Sequence, residues 1–191
     1  WNAVWESQFE AVLIGASCCI RAPFHTPMEG VLYDIVIEPK MSFGTGHHET
    51  TFMMAEWILD NPPLGKNLLD MGCGTGLLAI LAHKAGASDV LAIDNNVHAW
   101  ENARDNFRIN GLSDEAVLLG DASLIGGKQF DLVLANIIKG ILLHDMPVYA
   151  NALSKNGELL LSGFLIEDEP EIRQRAEQSG LSYIGRKQKG D

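Results

Sequence analysis

From Asn67 onward, short apolar runs alternate with longer segments in which apolar residues recur at helical spacing. The short runs are typical of buried strands, and the longer segments are typical of amphipathic helices. The predicted strands are Leu68–Met71, Val90–Asp94, Ala116–Asp121, Phe130–Asn136, Glu158–Phe164 and Ser182–Lys187. Because helices connect these strands, the sequence predicts an α/β fold with a Rossmann-like, doubly wound and mostly parallel sheet.

Local signals indicate where the connecting helices begin and end. Gly86 and Gly111 are expected to end the first two helices between the strands. Pro147 is expected to split the third helix or to lie in its first turn, because proline lacks the backbone N–H that a helix interior uses. Asp168 is expected to cap the last helix, with Pro170 near its start.

The first part of the chain has a different pattern. Ala11–Ile14, Cys18–Ala22 and Leu32–Glu38 are short apolar or alternating runs that predict strands. A helix is expected next, with Thr50 or Thr51 as its cap. We therefore predict a β-rich linker or lid over residues 1–40 and a main domain over residues 41–191.

A glycine-rich turn follows the first strand of the main domain. It reads Asp70-Met-Gly-Cys-Gly-Thr-Gly76, with glycines at alternate positions. Glycine lets the backbone turn sharply and approach a ligand closely, although a plain strand-to-helix turn is the alternative. A dinucleotide site usually has the longer GxGxxG spacing, and Asp70 would repel a pyrophosphate. The turn instead favours a ligand with positive charge, such as a sulfonium or an amino group.

The other strand ends are also polar. Asp94 lies about twenty residues after the first glycine, where a carboxylate accepts from ribose hydroxyls; a helix cap is its alternative role. Asp121, followed by Ala122, can accept from an adenine amine or cap a turn. Asn136 offers an amide acceptor and an amide donor. Since parallel sheets bind ligands at these ends, the four strand ends together predict an S-adenosyl-L-methionine-dependent methyltransferase.

The charge and residue composition of the chain limit the classes of molecule that it is expected to bind. The 191 residues carry 25 acidic and 14 basic side chains, so the formal net charge is −11. An acidic chain is a poor nucleic-acid binder and suits a basic partner, although solubility alone can explain the charge. The longest apolar run, Leu77–Ala82, is far shorter than a membrane span of ~18 residues. The cysteines have neither a disulfide nor a CxxC spacing, so a cytoplasmic location is expected.

Three segments resemble the bacterial methyltransferases of large-subunit ribosomal protein L-eleven (the PrmA family). They are Phe43–Thr51 (FGTGHHETT), Leu69–Gly76 and Leu134–Ile137, and Cys19–His25 resembles that family's linker. The first segment is the specific motif, whereas the glycine turn is shared by the superfamily. The resemblance implies cofactor contacts that include Thr51, and methylation of lysine side chains and the N-terminal amine of a basic ribosomal protein. It also makes residues 41–191 the catalytic domain.

The predicted site combines both arguments. The cofactor-binding residues are predicted to be Phe43, Gly46, Thr51, Asp70, Gly72, Gly74, Asp94, Asp121, Ala122 and Asn136. Asn136 is also the candidate catalytic residue, because its amide can orient the amine. His47 and His48 are candidates for a general base, or they only shape the loop. They lack the spacing of a helical zinc motif, so no metal is predicted.

The sequence departs from the family pattern in places, and alternative functions remain open. The family's small N-terminal recognition domain and its last antiparallel strand are expected to be absent from this chain. Ile137-Ile138-Lys139 stands where related enzymes often carry Pro-Pro-aromatic, so an extruded base would lack a stacking platform and no direct nucleic-acid binding is expected. The rivals are a methyltransferase for another protein or a small amine, and a cofactor-binding module without turnover. A nicotinamide oxidoreductase is disfavoured by the glycine spacing and by Asp70.

Overall fold

The computed structural model describes residues 10–40 and 44–188. In chain order the elements are β1 (Val12–Ile14), β2 (Cys18–Arg21), β3 (Tyr33–Val36), α1 (Glu49–Asp60), β4 (Asn67–Met71), α2 (Leu77–Lys84), β5 (Asp89–Asp94), α3 (Val97–Ile109), β6 (Val117–Leu119), β7 (Phe130–Asn136), α4 (Lys139–Ala152), β8 (Leu153–Ser162) and α5 (Glu169–Gln178). Short 3-10 turns cover Asp114–Ala116, Ala122–Ile125 and Ile166–Asp168.

The larger sheet has the strand order β6-β5-β4-β7-β8, and all of its strand pairs are parallel. The chain runs outward from β4 through β5 to β6, then crosses back to β7 and continues to β8. The order therefore reverses between β4 and β7, where the two connections leave in opposite directions and open a crevice. The predicted doubly wound, mostly parallel sheet is confirmed.

Helices cover both faces of this sheet. Leu68 of β4 packs into a buried cluster with Leu81 and Phe107, from α2 and α3. Leu69, the next residue, packs on the opposite face with Met146 and Tyr149 of α4. Because neighbouring side chains of a strand point to opposite faces, a fully buried strand must be apolar at both positions. This explains why the central strands appear as continuous apolar runs.

The smaller sheet is built from the first part of the chain and has the order β1-β2-β3. All three predicted strands are present; β1 pairs with β2 antiparallel, and β2 pairs with β3 parallel. Ile20 and Ile35 lie in the same buried cluster as Met54 of α1 and Leu77 of α2. The small sheet thus shares its core with the larger one. The boundary at residue 40 stays a prediction.

The predicted strand Ser182–Lys187 is wrong. These residues are exposed and form no strand, and the apolar member Ile184 is 83% exposed. Tyr183 donates a hydrogen bond to Glu169 at 3.2 Å, and Lys187 forms an ion pair with Glu56. Alternation alone does not create a strand, because the backbone also needs a neighbouring edge to pair with.

Two predictions about helix ends are also wrong. His48, not Thr50 or Thr51, caps α1, because the Thr50 N–H donates to its Nδ1 at 3.3 Å. Pro147 neither splits α4 nor lies in its first turn but stands inside a continuous helix. Proline cannot donate to the carbonyl four residues earlier, which is that of Leu143. Arg175 of α5 donates to this carbonyl at 2.9 Å instead, so the backbone acceptor stays satisfied.

Within residues 10–40 and 44–188, no helix is long and apolar enough to cross a membrane.

Candidate functional site

A cleft opens at the carboxyl ends of β4 and β7, where the strand order reverses. Its lining residues are Gly44, Thr51, Asp70, Gly72, Cys73, Gly74, Leu77, Leu78 and Asn136. Five of them are residues that the sequence predicts for the site: Thr51, Asp70, Gly72, Gly74 and Asn136. They come from three separate parts of the chain, namely α1, the end of β4 with the turn that follows it, and the end of β7. The fold therefore brings together residues that are far apart in sequence.

The glycine-rich turn bends tightly against the two neighbouring strands. The N–H groups of Gly72 and Cys73 both donate to the carbonyl of Ile93, at 2.8 and 3.2 Å. Gly72 has a φ of +65°, and a Cβ there would collide with the side chain of Ile137. Only glycine fits this position, because the left-handed backbone and the close neighbour both exclude a side chain. The turn thus presents bare backbone to the cleft.

Asp94 ties the end of β5 to this turn. Its Oδ2 accepts the N–H of Gly74 at 2.9 Å, and its Oδ1 accepts the N–H of Asn96 at 2.9 Å. The alternative role as a helix cap falls to Asn96, which accepts from His98 and Ala99 at the start of α3. Asp94 as a whole residue is 9% exposed. Each of its oxygens has capacity for a further hydrogen bond from a ligand hydroxyl.

Asp70 lies buried beneath the turn. Its Oδ2 accepts the N–H of Ala79, in the first turn of α2, at 3.3 Å. Burial raises the pKa of this carboxyl to about 7; the Ala79 bond opposes the rise and the nearby charge of Asp94 adds to it. The group therefore changes charge near neutral pH. A cation bound beside it would favour the ionised form.

Asn136 and Thr51 form the opposite wall of the cleft. The Asn136 Nδ2 donates to the Thr51 Oγ1 at 3.1 Å, and Thr51 is almost fully buried. The Asn136 Oδ1 is also buried, yet it has no hydrogen-bond partner among the described residues. An unpaired buried acceptor costs about 1–3 kcal/mol. This oxygen is suited to accept a hydrogen bond from a ligand.

The remaining predicted residues lie elsewhere. Asp121 is exposed at the end of β6, and its Oδ1 accepts the Ser123 N–H at 2.9 Å as the cap of a 3-10 turn. That hydrogen bonding to Ser123 lowers the pKa of Asp121. Ala122 is buried in the same turn. A Cβ on Gly46 would meet Ile20, so Gly46 packs against the small sheet.

The prediction for Phe43 lies outside the described residues. Both candidate bases contact described residues: His48 caps α1, and the ring nitrogens of His47 lie 3.1 Å from the Thr45 Oγ1 and 3.0 Å from the Glu10 carbonyl oxygen. Within residues 10–40 and 44–188, no three metal-binding side chains come together.

Cys73 is a lining residue that the sequence does not single out as functional. Burial raises the pKa of its thiol well above the usual value, with the nearby charge of Asp70 adding to the rise. The thiol is therefore protonated at neutral pH and is a poor nucleophile. The glycine turn was the only local signal for this position.

A wider depression lies on the outer side of α3, lined by Lys40, Glu101, Arg104, Asp105 and Arg108. Its charges pair with one another: Lys40 contacts Asp105 at 2.7 Å, and Arg108 contacts the same carboxylate at 2.9 Å. Such exposed pairs leave little unbalanced charge for a ligand. We therefore assign the functional site to the cleft.

Comparisons with known proteins agree on one family. The family model described as ribosomal protein L11 methyltransferase (PrmA) matches residues 1–191. Ribosomal protein L11 methyltransferase of Bacteroides fragilis is 46% identical over 191 residues, which cover 99% of this chain and 68% of that protein. The Porphyromonas gingivalis protein of the same name is 47% identical over 184 residues, covering 95% of this chain and 63% of that protein.

Solved structures agree as well. The crystal structure of a ribosomal protein L11 methylase from Lactobacillus delbrueckii superposes with a TM-score of 0.86 and 27% identity, covering 95% of this chain and 94% of that chain. The structure of a precorrin-6y C5,15-methyltransferase from Geobacter metallireducens has a TM-score of 0.57 and 19% identity, and covers 69% of this chain and 73% of that chain. The second likeness concerns the fold alone.

Proposed function

Because the chain belongs to the PrmA family of ribosomal protein L11 methyltransferases, we propose that it transfers methyl groups from S-adenosyl-L-methionine to amines of ribosomal protein L11. The acceptors are lysine side chains and the N-terminal amine, and the reaction takes place in the cytoplasm. The unpaired Oδ1 of Asn136 in the cleft carries the proposal, because it is an acceptor suited to an amine N–H. The net charge of −11 supports a basic protein partner.

The residues of the cleft fit the cofactor. Asp94 offers carboxylate oxygens for ribose hydroxyls, and the bare backbone at Gly72 and Gly74 allows close approach. Asp70 supplies negative charge toward a positively charged methionine portion. S-adenosyl-L-methionine supplies an electrophilic methyl group on its sulfonium when bound. The set of donors and acceptors contains no group that would repel it.

The protein must also present a neutral amine. A free lysine has a pKa of ≈ 10.4, so the neutral form costs about 4.6 kcal/mol at pH 7. Asn136 accepts an N–H from that neutral amine through its Oδ1, which leaves the nitrogen lone pair directed away from the bond. Thr51 fixes the amide by accepting from its Nδ2 at 3.1 Å. Orientation of this kind lowers the barrier without a general base.

The test measures methylation of ribosomal protein L11 by the full-length protein, with mass spectrometry of the product. We compare the wild type with Asn136→Leu, which keeps the branched shape of the side chain and removes both polar atoms. We expect methylated amines with the wild type, and a rate at least about a hundredfold lower with the variant. The matched control is Asn110→Leu, since Asn110 lies outside the cleft.

Each other outcome contradicts a distinct part of the proposal. Product on a free amine but not on ribosomal protein L11 would assign a small-molecule substrate. Cofactor binding without any product would assign a binding module. An unchanged rate with Asn136→Leu would remove Asn136 from the reaction.

A further inference from the structure

Helix α3 and its C-terminal cap carry three asparagines, each one turn from the next. They are Asn102, Asn106 and Asn110; the first two are fully buried. Asparagine is not favoured inside a helix, because its side chain competes with the backbone for hydrogen bonds. We therefore examined which backbone groups form hydrogen bonds with these side-chain amides.

Asn106 bridges two regions that are distant in sequence. Its Oδ1 accepts the N–H of Glu38, two residues after β3, at 2.8 Å. Its Nδ2 donates to the carbonyl of Thr75 at 2.8 Å, inside the glycine-rich turn. A single buried amide therefore fixes the end of the small sheet and the turn that lines the cleft.

Thr75 continues the connection on its other side. Its Oγ1 donates to the carbonyl of Gly44 at 2.6 Å, and the residue is fully buried. Asn106 therefore holds Glu38, and Thr75, which is bonded to Asn106, holds Gly44. Thr75 does not line the cleft itself, but Gly74 before it does, and the Gly74 N–H is held by Asp94.

Asn110, one turn further along α3, provides the contrast. Its Oδ1 accepts the N–H of Val36 at 3.1 Å, and its Nδ2 donates to the Val36 carbonyl at 2.7 Å. Asn110 therefore holds the small sheet in the same manner as Asn106. It makes no hydrogen bond to the glycine-rich turn.

We propose that Asn106 and Thr75 are positioning residues for the cofactor: together they hold the glycine-rich turn in the conformation that binds it. Without the Asn106 donor, the buried carbonyl of Thr75 loses its partner, and the turn must shift to find another. The backbone next to Thr75 is the backbone that faces the cleft, so the shift weakens cofactor binding. This inference rests on the proposed use of S-adenosyl-L-methionine.

The experiment compares Asn106→Asp with Asn110→Asp in the full-length protein. Both changes keep an acceptor oxygen and remove the amide donor, but only the first removes a donor to the glycine-rich turn. Calorimetry with S-adenosyl-L-methionine should show a Kd raised about tenfold or more for Asn106→Asp, which is ~1.4 kcal/mol, and less than about twofold for Asn110→Asp. The KM for the cofactor should rise in parallel, with kcat at saturating cofactor within about twofold of wild type.

A second pair of variants keeps the inference testable if Asn106→Asp does not fold. Thr75→Val removes the hydroxyl donor to Gly44, whereas Thr75→Ser keeps it. We expect Thr75→Val to raise the Kd by at least about fivefold, and Thr75→Ser to restore most of the affinity.

The possible outcomes separate the inference from the proposed function. Equal Kd values for the Asn106→Asp and Asn110→Asp variants, or for the Thr75→Val and Thr75→Ser variants, would overturn the inference alone. A wild-type protein that binds neither S-adenosyl-L-methionine nor its demethylated product would overturn the proposed function and the inference with it. Raised Kd values accompanied by an equal fall in kcat would show a general loss of structure and also contradict the positioning role.

Discussion

The two walls of the cleft differ in how far the protein itself satisfies the hydrogen-bonding groups that form or support them. Behind the glycine-turn wall, both oxygens of Asp94 accept backbone N–H groups, and Thr75 uses its carbonyl and its hydroxyl. On the opposite wall, Asn136 uses its amide nitrogen on Thr51 and leaves its buried Oδ1 without a described partner. The first wall is preorganised by the protein's own hydrogen bonds. The second wall keeps an acceptor for a group that the protein does not supply, as expected where the substrate is exchanged.

The largest expected effect comes from breaking the preorganised wall at Asp94. Asp94→Asn places an amide donor against the N–H of Gly74 or Asn96, so the turn loses a contact and the ribose loses an acceptor. Hydrogen bonds to charged groups contribute about 1.5–3 kcal/mol, so we expect the Kd for S-adenosyl-L-methionine to rise by about a hundredfold. Calorimetric titration measures this directly.

Asp89→Asn is the matched control for Asp94→Asn, since Asp89 begins the same strand but is exposed. We expect a change in Kd of less than about threefold. An equal loss with Asp89→Asn would mean that the effect of Asp94→Asn does not arise in the cleft, and it would remove the contrast between the two walls.

A smaller effect is expected from a substitution at Gly163 that displaces the backbone beside Asn136. A Cβ on Gly163 would lie 2.7 Å from the Ile137 carbonyl oxygen and 2.8 Å from its nitrogen. Gly163→Ala therefore displaces the backbone next to Asn136, and the three atoms nearest to the added Cβ all belong to Ile137 and not to the glycine-rich turn. Because small misplacements of a reacting group are costly, we expect kcat to fall by about ten- to thirtyfold, with the Kd for the cofactor within about threefold.

Gly180→Ala controls for backbone strain in that experiment. Gly180 has a φ of +86°, close to the +90° of Gly163, but a Cβ there meets nothing within 4 Å. Both variants should lower the melting temperature, whereas only Gly163→Ala should lower kcat. Equal losses of kcat would mean that strain, and not the position of Asn136, limits the reaction.

The sequence predicted the preorganised wall better than the rest of the molecule, and the reason is physical. Glycines at alternate positions after an apolar strand are a local signal, because the turn needs left-handed backbone at those points. The central strands β4, β5 and β7 were predicted for a similar reason, since burial on both faces demands continuous apolar runs. The sequence signal at Asn136 was weak on its own, and it became a prediction only in combination with the polar residues at the neighbouring strand ends.

Features that depend on distant partners were not predictable in this way. Pro147 fits inside α4 because Arg175 satisfies the carbonyl of Leu143, 32 residues away. Nothing near Asn106 in the sequence indicates that its amide reaches Thr75. The error at Ser182–Lys187 has the same origin, because alternation says which side chains share a face and not whether another strand lies alongside.

The smallest expected effect concerns the charge of Asp70, which lies beneath the preorganised wall. Its pKa of about 7 exceeds the ordinary value of 3.8, with burial as the main cause. The folded protein therefore takes up a proton that the unfolded chain does not, so this group adds stability as the pH falls through about 7 toward 4 and removes it as the pH rises.

A cationic cofactor has the opposite preference, since it favours the ionised carboxyl of Asp70. Binding of S-adenosyl-L-methionine should therefore tighten by several-fold from about pH 6 to about pH 8, and calorimetry without the protein substrate isolates this effect. Asp70→Asn removes the titration and should flatten the profile, whereas Asp121→Asn, at an exposed carboxyl whose pKa is lowered, should leave it unchanged. A profile that persists in Asp70→Asn would assign the pH dependence to another group and would leave the charge of this wall without a role in binding.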